Sequence, residues 1–133
     1  MEEIKIPYVG YDELYAYKAK VIKAYDGDTV TLLIDLGLNT FREENVRLAR
    51  INAPEVRGEE KEAGLVSRDA LREKILDKEV LIRTYKDKTG KYGRYIVEIF
   101  LPYTIITETE GESGMINISD WLVENKYAEY HDY

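Results

Sequence analysis

The chain has 133 residues, 44% of them apolar, which is about the length of one domain and enough to bury a hydrophobic core. It carries a formal net charge of −7, no cysteine and one histidine, His131. These counts exclude disulfides and thiol chemistry and disfavour Ser-His-Asp catalysis and histidine-rich zinc sites, so any catalysis is expected to use carboxylates, Arg, Lys, Tyr, hydroxyls or a metal bound through oxygen.

No secretory or membrane-spanning pattern is visible in the sequence. Residues 1–13 lack a basic start followed by a long apolar run, and no stretch approaches the roughly 20 apolar residues that cross a bilayer. We therefore expect a cytoplasmic protein without a membrane partner. Because no repeat or linker is visible, we also expect one domain over residues 1–133, with an N-terminal lead over 1–13 and a folded body over 14–130.

Three strands are predicted at the start of this body. Residues 15–22 and 30–36 alternate with period two, and the turn signal at residues 25–28 between them predicts a hairpin. A second turn at residues 37–39 leads into a third strand over about 40–51.

The rest of the chain mixes helical and strand patterns. Apolar residues at helical spacing predict a helix over 62–77, and strand character returns over 80–85 and 95–101. Residues 102–114 contain β-branched residues and then an acidic loop, and a short helix is predicted over 118–125. This order indicates an α+β, mainly β fold, in which a small barrel with a helix packed across it would bury both patterns.

The first candidate site is the hairpin turn with Asp26, Gly27 and Asp28. Two carboxylates two residues apart in a turn can both approach one hard cation, which prefers oxygen ligands. The alternative is an ordinary Asp-Gly turn.

The second candidate site follows the third strand. Arg47 lies among apolar residues, Asn52 supplies an amide oxygen, Ala53 a carbonyl, and Glu55 follows where a loop is expected. Both oxygens suit Ca²⁺, whereas the alternative for Arg47 is a surface or interstrand ion pair.

The third candidate site is the glycine-containing turn before residue 95. Arg94 can make two parallel hydrogen bonds to a phosphate, Tyr92 can stack on a base, and Lys91 adds a charge. The alternative is a hairpin with solvated charges. A fourth segment, the tyrosine-rich C-terminus, is interpreted as a ragged end rather than as a base-stacking surface, and His131 as a solvated residue.

Together these segments supply metal ligands, two arginines for a phosphate and a glutamate that can act as a base. That set suits metal-assisted hydrolysis of a phosphodiester, in which guanidinium groups stabilise the developing charge and a carboxylate deprotonates the attacking water. No histidine or cysteine is needed, in agreement with the composition.

The sequence resembles the thermonuclease family, the staphylococcal nuclease-like domains, and its compact form is similar to members found in phages and prophages. Three segments in the family's order carry the resemblance, namely residues 23–30, residues 46–55 and residues 87–94. The resemblance implies a five-stranded Greek-key barrel of the OB-fold type with two or three packed helices. It also implies a monomeric Ca²⁺-dependent nuclease of DNA and RNA, with the 5′-oxygen as leaving group.

The resemblance also implies a role for each matching residue: Asp28 as a direct Ca²⁺ ligand, Asp26 as a carboxylate beside the metal, Ala53 as a carbonyl ligand, Glu55 as the general base, Arg47 and Arg94 as the phosphate-binding pair, and Lys91 and Tyr92 as contacts to the nucleotide. Asn52 departs from the pattern because the family usually has aspartate there. The lost charge predicts weaker metal binding and reduced activity. It also keeps open a second hypothesis, a noncatalytic nucleic-acid-binding or interaction module on the same barrel. An unrelated OB-fold protein with coincidental motifs is the third.

A net charge of −7 by itself opposes binding of a nucleic acid, but the charge is unevenly distributed along the chain. Residues 1–13 have one lysine and four acids, and residues 101–133 have one lysine and seven acids. Residues 14–100, which contain every site motif, have 17 basic and 15 acidic residues. The acidity therefore belongs to the ends of the chain, and a phosphate-binding surface remains compatible with it.

Overall fold

The computed structural model describes residues 14–89 and 93–132, which form eight strands, two α-helices and one 3₁₀ turn. In chain order the elements are β1 (Ala16–Ala24), β2 (Thr29–Asp35), β3 (Phe41–Leu48), β4 (Ile51–Asn52), the 3₁₀ turn (Gly58–Glu60), α1 (Lys61–Ile75), β5 (Glu79–Thr89), β6 (Tyr95–Ile106), β7 (Gly111–Asn117), α2 (Ile118–Glu124) and β8 (Glu129–Tyr130).

Five strands form a ring. The main sheet has the order β3-β2-β1-β5-β6-β7, and an additional parallel pairing joins β3 to β6. That pairing runs from Val46 opposite Tyr95 to Leu48 opposite Val97 and closes the first five strands on themselves. The expected five-stranded barrel of the OB-fold type is therefore confirmed, and β7 adds a sixth strand outside the ring.

The barrel interior is filled by the alternate residues of its strands. Val30, Leu32 and Ile34 of β2 point inward, as the period-two pattern predicts. A bulge between Val21 and Lys23 shifts the register of β1, so that Val21 and Ala24 are buried while Lys23 is exposed. This irregularity brings Lys23 to the outer surface just before the turn that carries the first candidate site.

Both helices cover the barrel with one apolar side. Leu71 and Ile75 of α1 and Ile118 and Leu122 of α2 are fully buried in the same core as the strands. The side chain of Asn117 accepts a hydrogen bond from the backbone N–H of Asp120 at 3.1 Å and so caps α2. Among the described residues, no helix is long and apolar enough to cross a membrane.

The third predicted strand is shorter than expected. It was predicted to reach residue 51, but β3 ends at Leu48, and Arg50 has a left-handed φ of +66°. The N–H of Ala49 bonds the carbonyl of Val97 at 2.8 Å, and the chain then turns so that β4 pairs with β8 instead. The prediction was wrong here because a two-residue turn between apolar residues does not interrupt the hydrophobic pattern. The turn delivers Asn52 and Ala53 to the site.

The acidic segment is also more ordered than expected. The prediction of an acidic loop was wrong for β7, which pairs with an extended β6 from Phe100 opposite Asn117 to Ile106 opposite Gly111. Only residues 107–110 form the turn, closed by the N–H of Thr107 on the carbonyl of Glu110 at 2.8 Å. The glutamates of the hairpin are exposed, so their charge stays in water and does not oppose strand pairing.

Candidate active site

The turn between β1 and β2 is held by its own hydrogen bonds. The N–H of Tyr25 donates to the carbonyl of Thr29 at 2.9 Å, and the N–H of Asp28 donates to Oδ1 of Asp26 at 3.0 Å. At Gly27, a Cβ atom would lie only 2.8 Å from the Cβ atoms of Ala53 and Ser67. Glycine is needed here because the turn packs directly on α1 and on the loop after β4.

Asp28 and Arg47 form the centre of the site. Their side chains are only 6% and 10% exposed, and Nη1 of Arg47 pairs with Oδ1 of Asp28. Nη2 of Arg47 donates to Oδ1 of Asn52 at 3.1 Å, and the N–H of Ala53 donates to Oδ2 of Asp28 at 2.7 Å. Four of the residues singled out in the sequence therefore meet in one cluster, in which Asp28, Arg47 and Ala53 are buried and Asn52 is exposed.

Arg94 approaches the same carboxylate through a threonine. Its Nη1 donates to Oγ1 of Thr29 at 3.0 Å, and that hydroxyl donates to Oδ1 of Asp28 at 3.2 Å. Two guanidinium groups thus flank Asp28, one from β3 and one from the residue just before β6. The sequence reasoning did not assign Thr29 a role, although its place directly after Asp28, at the start of a strand, was a usable signal.

Glu55 is placed by backbone packing rather than by its side chain. A Cβ atom at Gly64 of α1 would lie 2.0 Å from the carbonyl oxygen of Glu55, so only glycine permits this approach. The N–H of Glu55 donates to Oε2 of Glu60 at 3.0 Å, while its own side chain is exposed. Within the described residues, its carboxylate makes no hydrogen bond or ion pair to the buried cluster. The sequence reasoning missed Gly64, which in a helix was itself a signal of close packing.

Asp26 has an altered acidity. Burial raises its pKa to about 7, and the hydrogen bond and negative charge of Asp28 act in the same direction, while the nearby Arg47 charge opposes them. Two carboxylates this close are unfavourable when both are ionised, because each destabilises the charge of the other in a poorly solvated turn. A proton or a metal cation on this side of the turn relieves that repulsion.

The donor set suits a hard cation. Asp28, Asn52 and the carbonyl of Ala53 offer oxygen ligands, and one guanidinium already holds the carboxylate of Asp28 and the amide oxygen of Asn52 side by side. Across residues 14–89 and 93–132, no group of three or more His, Cys, Asp or Glu side chains could hold a metal. A cation at this position would therefore depend on the carboxylates of Asp26 and Asp28, supplemented by the neutral oxygens of Asn52 and Ala53.

The remaining predicted residues fall elsewhere. Lys91 and Tyr92 lie outside the described residues. The interpretation of the C-terminus as a ragged end was wrong for Tyr127, whose ring packs 5.8 Å from that of Trp121, and for Tyr130, which lies in β8 and donates to Oδ1 of Asp120 at 2.9 Å. Oγ of Ser67 in α1 donates a hydrogen bond to the carbonyl of Tyr127 at 2.6 Å. The C-terminal segment is therefore bonded to α1, the helix against which the Asp26–Asp28 turn packs.

Comparison with known proteins places most of these residues in one family. The sequence profile of the family described as staphylococcal nuclease homologue matches residues 45–133, about two thirds of the chain. The match includes Arg47, the loop at residues 52–55 and Arg94, and it begins after the Asp26–Asp28 turn. No curated protein matches the chain significantly.

Proposed function

The chain belongs to the staphylococcal nuclease homologue family, and we propose that it hydrolyses DNA or RNA with Ca²⁺ as cofactor, by attack of water on phosphorus with the 5′-oxygen as leaving group. Family membership supports a nuclease-like enzyme with a nucleic-acid substrate. The Ca²⁺ dependence, the position of the cleaved bond and the role of each residue belong to the proposal, as does action as a monomer.

One observation carries the proposal: Arg47 of β3 and Arg94, just before β6, flank the same buried carboxylate, Asp28, the first directly and the second through Thr29. Two guanidinium groups at a recessed site can bind a phosphodiester and stabilise the charge that develops on its oxygens. The positive charge of Arg94, placed beside the Asp28–Arg47 pair, favours the binding of an anionic ligand.

Glu55 supplies the base in this scheme. Its side chain is exposed at the edge of the site, where it can accept a proton from a water aligned with the phosphorus. A Ca²⁺ ion held by Asp28, Asn52 and the Ala53 carbonyl, with Asp26 beside it, would polarise a phosphoryl oxygen and offset its charge. The arginines orient the phosphate, and the rigid contact at Gly64 keeps the base in place.

Asn52 is expected to lower the affinity of this site for Ca²⁺. Its amide oxygen can coordinate Ca²⁺ but brings no negative charge, and it accepts a hydrogen bond from Arg47. We therefore expect cleavage only at higher Ca²⁺ concentration than a site with an aspartate would need. Asn52→Asp should raise the Ca²⁺ affinity several-fold, as measured by the Ca²⁺-dependent rise in melting temperature.

The direct test is cleavage of a single-stranded oligonucleotide by the purified full chain, in a Ca²⁺ titration with EDTA as control. We expect fragments that end in a 3′-phosphate, because the 5′-oxygen leaves. Glu55→Gln should lose this activity with its melting temperature retained. Absence of cleavage by the parent chain across the millimolar range of Ca²⁺ would contradict the proposal.

Asn52 also favours a second candidate, a noncatalytic nucleic-acid-binding module on the same barrel. Loss of a charged ligand is a simple route from an enzyme to a binding protein. Saturable binding of the oligonucleotide without turnover, unchanged in the Asn52→Asp variant, would select this candidate. Turnover that appears or increases in Asn52→Asp would select the enzyme.

A further inference from the structure

Two surface grooves leave the site at Arg94 and share Lys23. The larger, which we call the β1–β2 groove, has a volume of about 670 Å³ and is lined by Lys23, Tyr25, Thr29, Arg72 and Arg94 with apolar neighbours. The smaller has about 430 Å³ and also includes Glu43 and Glu44. A polyanion bound at Arg94 can continue along either groove, and their charges decide between them.

Among the residues that the structure describes, those lining the β1–β2 groove include three cations and no carboxylate. They are Ile22, Lys23, Ala24, Tyr25, Thr29, Thr31, Asn45, Arg72, Leu76 and Arg94, in a chain whose net charge is −7. In the smaller groove, two glutamates offset the charges of Lys23 and Arg94. A phosphodiester backbone is therefore attracted more strongly into the β1–β2 groove than into the other.

The groove is continuous with the site along β2. Thr29 receives the hydrogen bond from Arg94, and Thr31 lies two residues further along the strand, about 7 Å away by the strand rise. Thr31 is directly opposite Lys23 of β1. Lys23 therefore lies about 7 Å further along the sheet than Thr29. Thr29 is the residue that contacts Arg94, and Arg94 is predicted to bind the reacting phosphate.

Arg72 forms the opposite wall and is held in place. Its Nε and Nη2 both donate to the carbonyl of Ala24, at 3.1 and 2.9 Å, which fixes the guanidinium of this half-buried side chain against β1. Within the described residues, neither Lys23 nor Arg72 forms an ion pair with a carboxylate. Lys23 and Arg72 thus offer a phosphate two positive charges, one of them fixed in position, that no described carboxylate neutralises.

Tyr25 adds a flat apolar surface at the mouth of the groove. The residue is 52% exposed, and its hydroxyl accepts a hydrogen bond from Nη2 of Arg57, which restrains the ring. Ile22 and Leu76 contribute apolar surface to the same groove. An exposed aromatic ring beside a cationic groove is the arrangement on which the bases of a nucleic-acid strand stack.

We propose that the β1–β2 groove binds the nucleotide adjacent to the scissile phosphate, with its phosphate at Lys23 and Arg72 and its base on Tyr25. The inference rests on the proposed function for the position of the cut, but the binding itself needs no hydrolysis. In this arrangement the β1–β2 groove holds only the part of the substrate strand that lies on one side of the reacting phosphate.

The test measures binding separately from cleavage. Fluorescence anisotropy with a labelled single-stranded oligothymidylate, in EDTA and over a series of salt concentrations, yields the affinity and its salt dependence. Lys23→Ala should weaken binding and reduce the slope of log K against log salt by about 0.7, the value for one lost phosphate contact on a single strand. Lys23→Arg should restore the slope.

Lys20→Ala is the matched control, because Lys20 is an exposed lysine of the same strand outside the groove. It should leave the slope unchanged. Equal slopes for Lys23→Ala and Lys20→Ala would overturn the proposal, as would an oligothymidylate that does not bind the parent chain. Tyr25→Ala should lower the affinity about tenfold, and Tyr25→Phe should retain most of it.

Failure of the two proposals can be told apart. If the parent chain does not cleave in Ca²⁺ but Lys23→Ala alone flattens the salt dependence, hydrolysis is refuted and the groove stands as a nucleic-acid site. If the chain cleaves and Lys23→Ala binds with the same slope as the parent, the nuclease stands and the groove is refuted.

Discussion

Two arginines three residues apart in the sequence serve two different clusters of charge. Arg47, at the end of β3, faces Asp28 and the candidate site, whereas Arg50, in the turn after β3, faces Glu98 and Asp120. In the second cluster the guanidinium contacts two carboxylates, with Nε to Oε2 of Glu98 at 2.7 Å and Nη1 to Oδ1 of Asp120 at 2.9 Å. Arg50 therefore connects β6 and α2 to the turn between β3 and β4.

The partners of the two arginines differ in kind. Beyond Asp28, Arg47 donates to neutral oxygens, the amide of Asn52 and the carbonyl of Ile51. Arg50 makes direct hydrogen bonds to two carboxylates, and its pKa is raised, chiefly by the hydrogen bond to Glu98. Neutral acceptors can be exchanged for a ligand at smaller cost than a carboxylate. The comparison supports the proposal that the Arg47 cluster binds an anion, while the contacts of Arg50 connect three elements of the fold.

The largest effect is expected at the edge of the Arg47 cluster. Arg94→Ala should lower the cleavage rate by about 10²–10³-fold, because one of two groups that stabilise charge on the phosphate is lost. Its melting temperature should stay near that of the parent, since the hydrogen bond from Arg94 to the cluster ends on the neutral hydroxyl of Thr29 and leaves no buried charge behind when it is lost. Arg83→Ala, at an exposed arginine of β5, is the control and should retain activity. A full rate in Arg94→Ala would remove Arg94 from the mechanism.

A second prediction concerns the Arg50 cluster. Arg50→Ala should lower the free energy of unfolding by about 2 kcal/mol, below the usual cost for a buried pair because the Arg50 side chain is 42% exposed. The cause is the buried carboxylate of Glu98, which loses its cation. Urea unfolding measures the change, and cleavage by the folded protein at low temperature should persist. Unchanged stability, or a folded variant without activity, would break the distinction between the clusters.

A third prediction concerns the helix that supports both the site turn and Glu55. Gly64→Ala should lower stability by about 1–2 kcal/mol and slow cleavage, because the added Cβ pushes the backbone of Glu55 away from α1. Thermal unfolding and kcat would be measured together. Gly111→Ala is the control, since its Cβ would meet only the carbonyl oxygen of Ile105 at 3.9 Å. If both variants behave alike, the contact does not position Glu55.

The smallest effect is a pH dependence in the Arg50 cluster. The hydrogen bond from Arg50 lowers the pKa of Asp120, so this carboxyl contributes stability above its unfolded pKa, near 4, and loses it as the pH falls through the lower folded pKa. Asp120→Asn should destabilise the protein by less than about 1 kcal/mol at neutral pH, because the pair is partly exposed. The difference from the parent should shrink on acidification. A difference that is constant between pH 6 and pH 2 would show that the charge of Asp120 contributes nothing.

Local patterns determined the elements and several of the site residues. The alternation over residues 30–36 and the helical spacing over 62–77 correspond to β2 and α1, because burial of one face sets the period of apolar residues within each element. The Asp26–Asp28 pair could also be recognised, since a turn with two carboxylates is a local feature. These predictions depend only on residues that are close to one another in the sequence.

Only the tertiary structure decided which distant groups meet. Thr29 and Arg94 are 65 residues apart and touch because the β3–β6 pairing closes the barrel. The same closure, together with the left-handed Arg50, separates Arg47 from the Glu98 cluster, although a sequence pattern treats both arginines alike. The charge of the β1–β2 groove likewise arises from β1, α1 and Arg94 together. Such contacts depend on how elements pack, and the period of a single element carries no information about its partner.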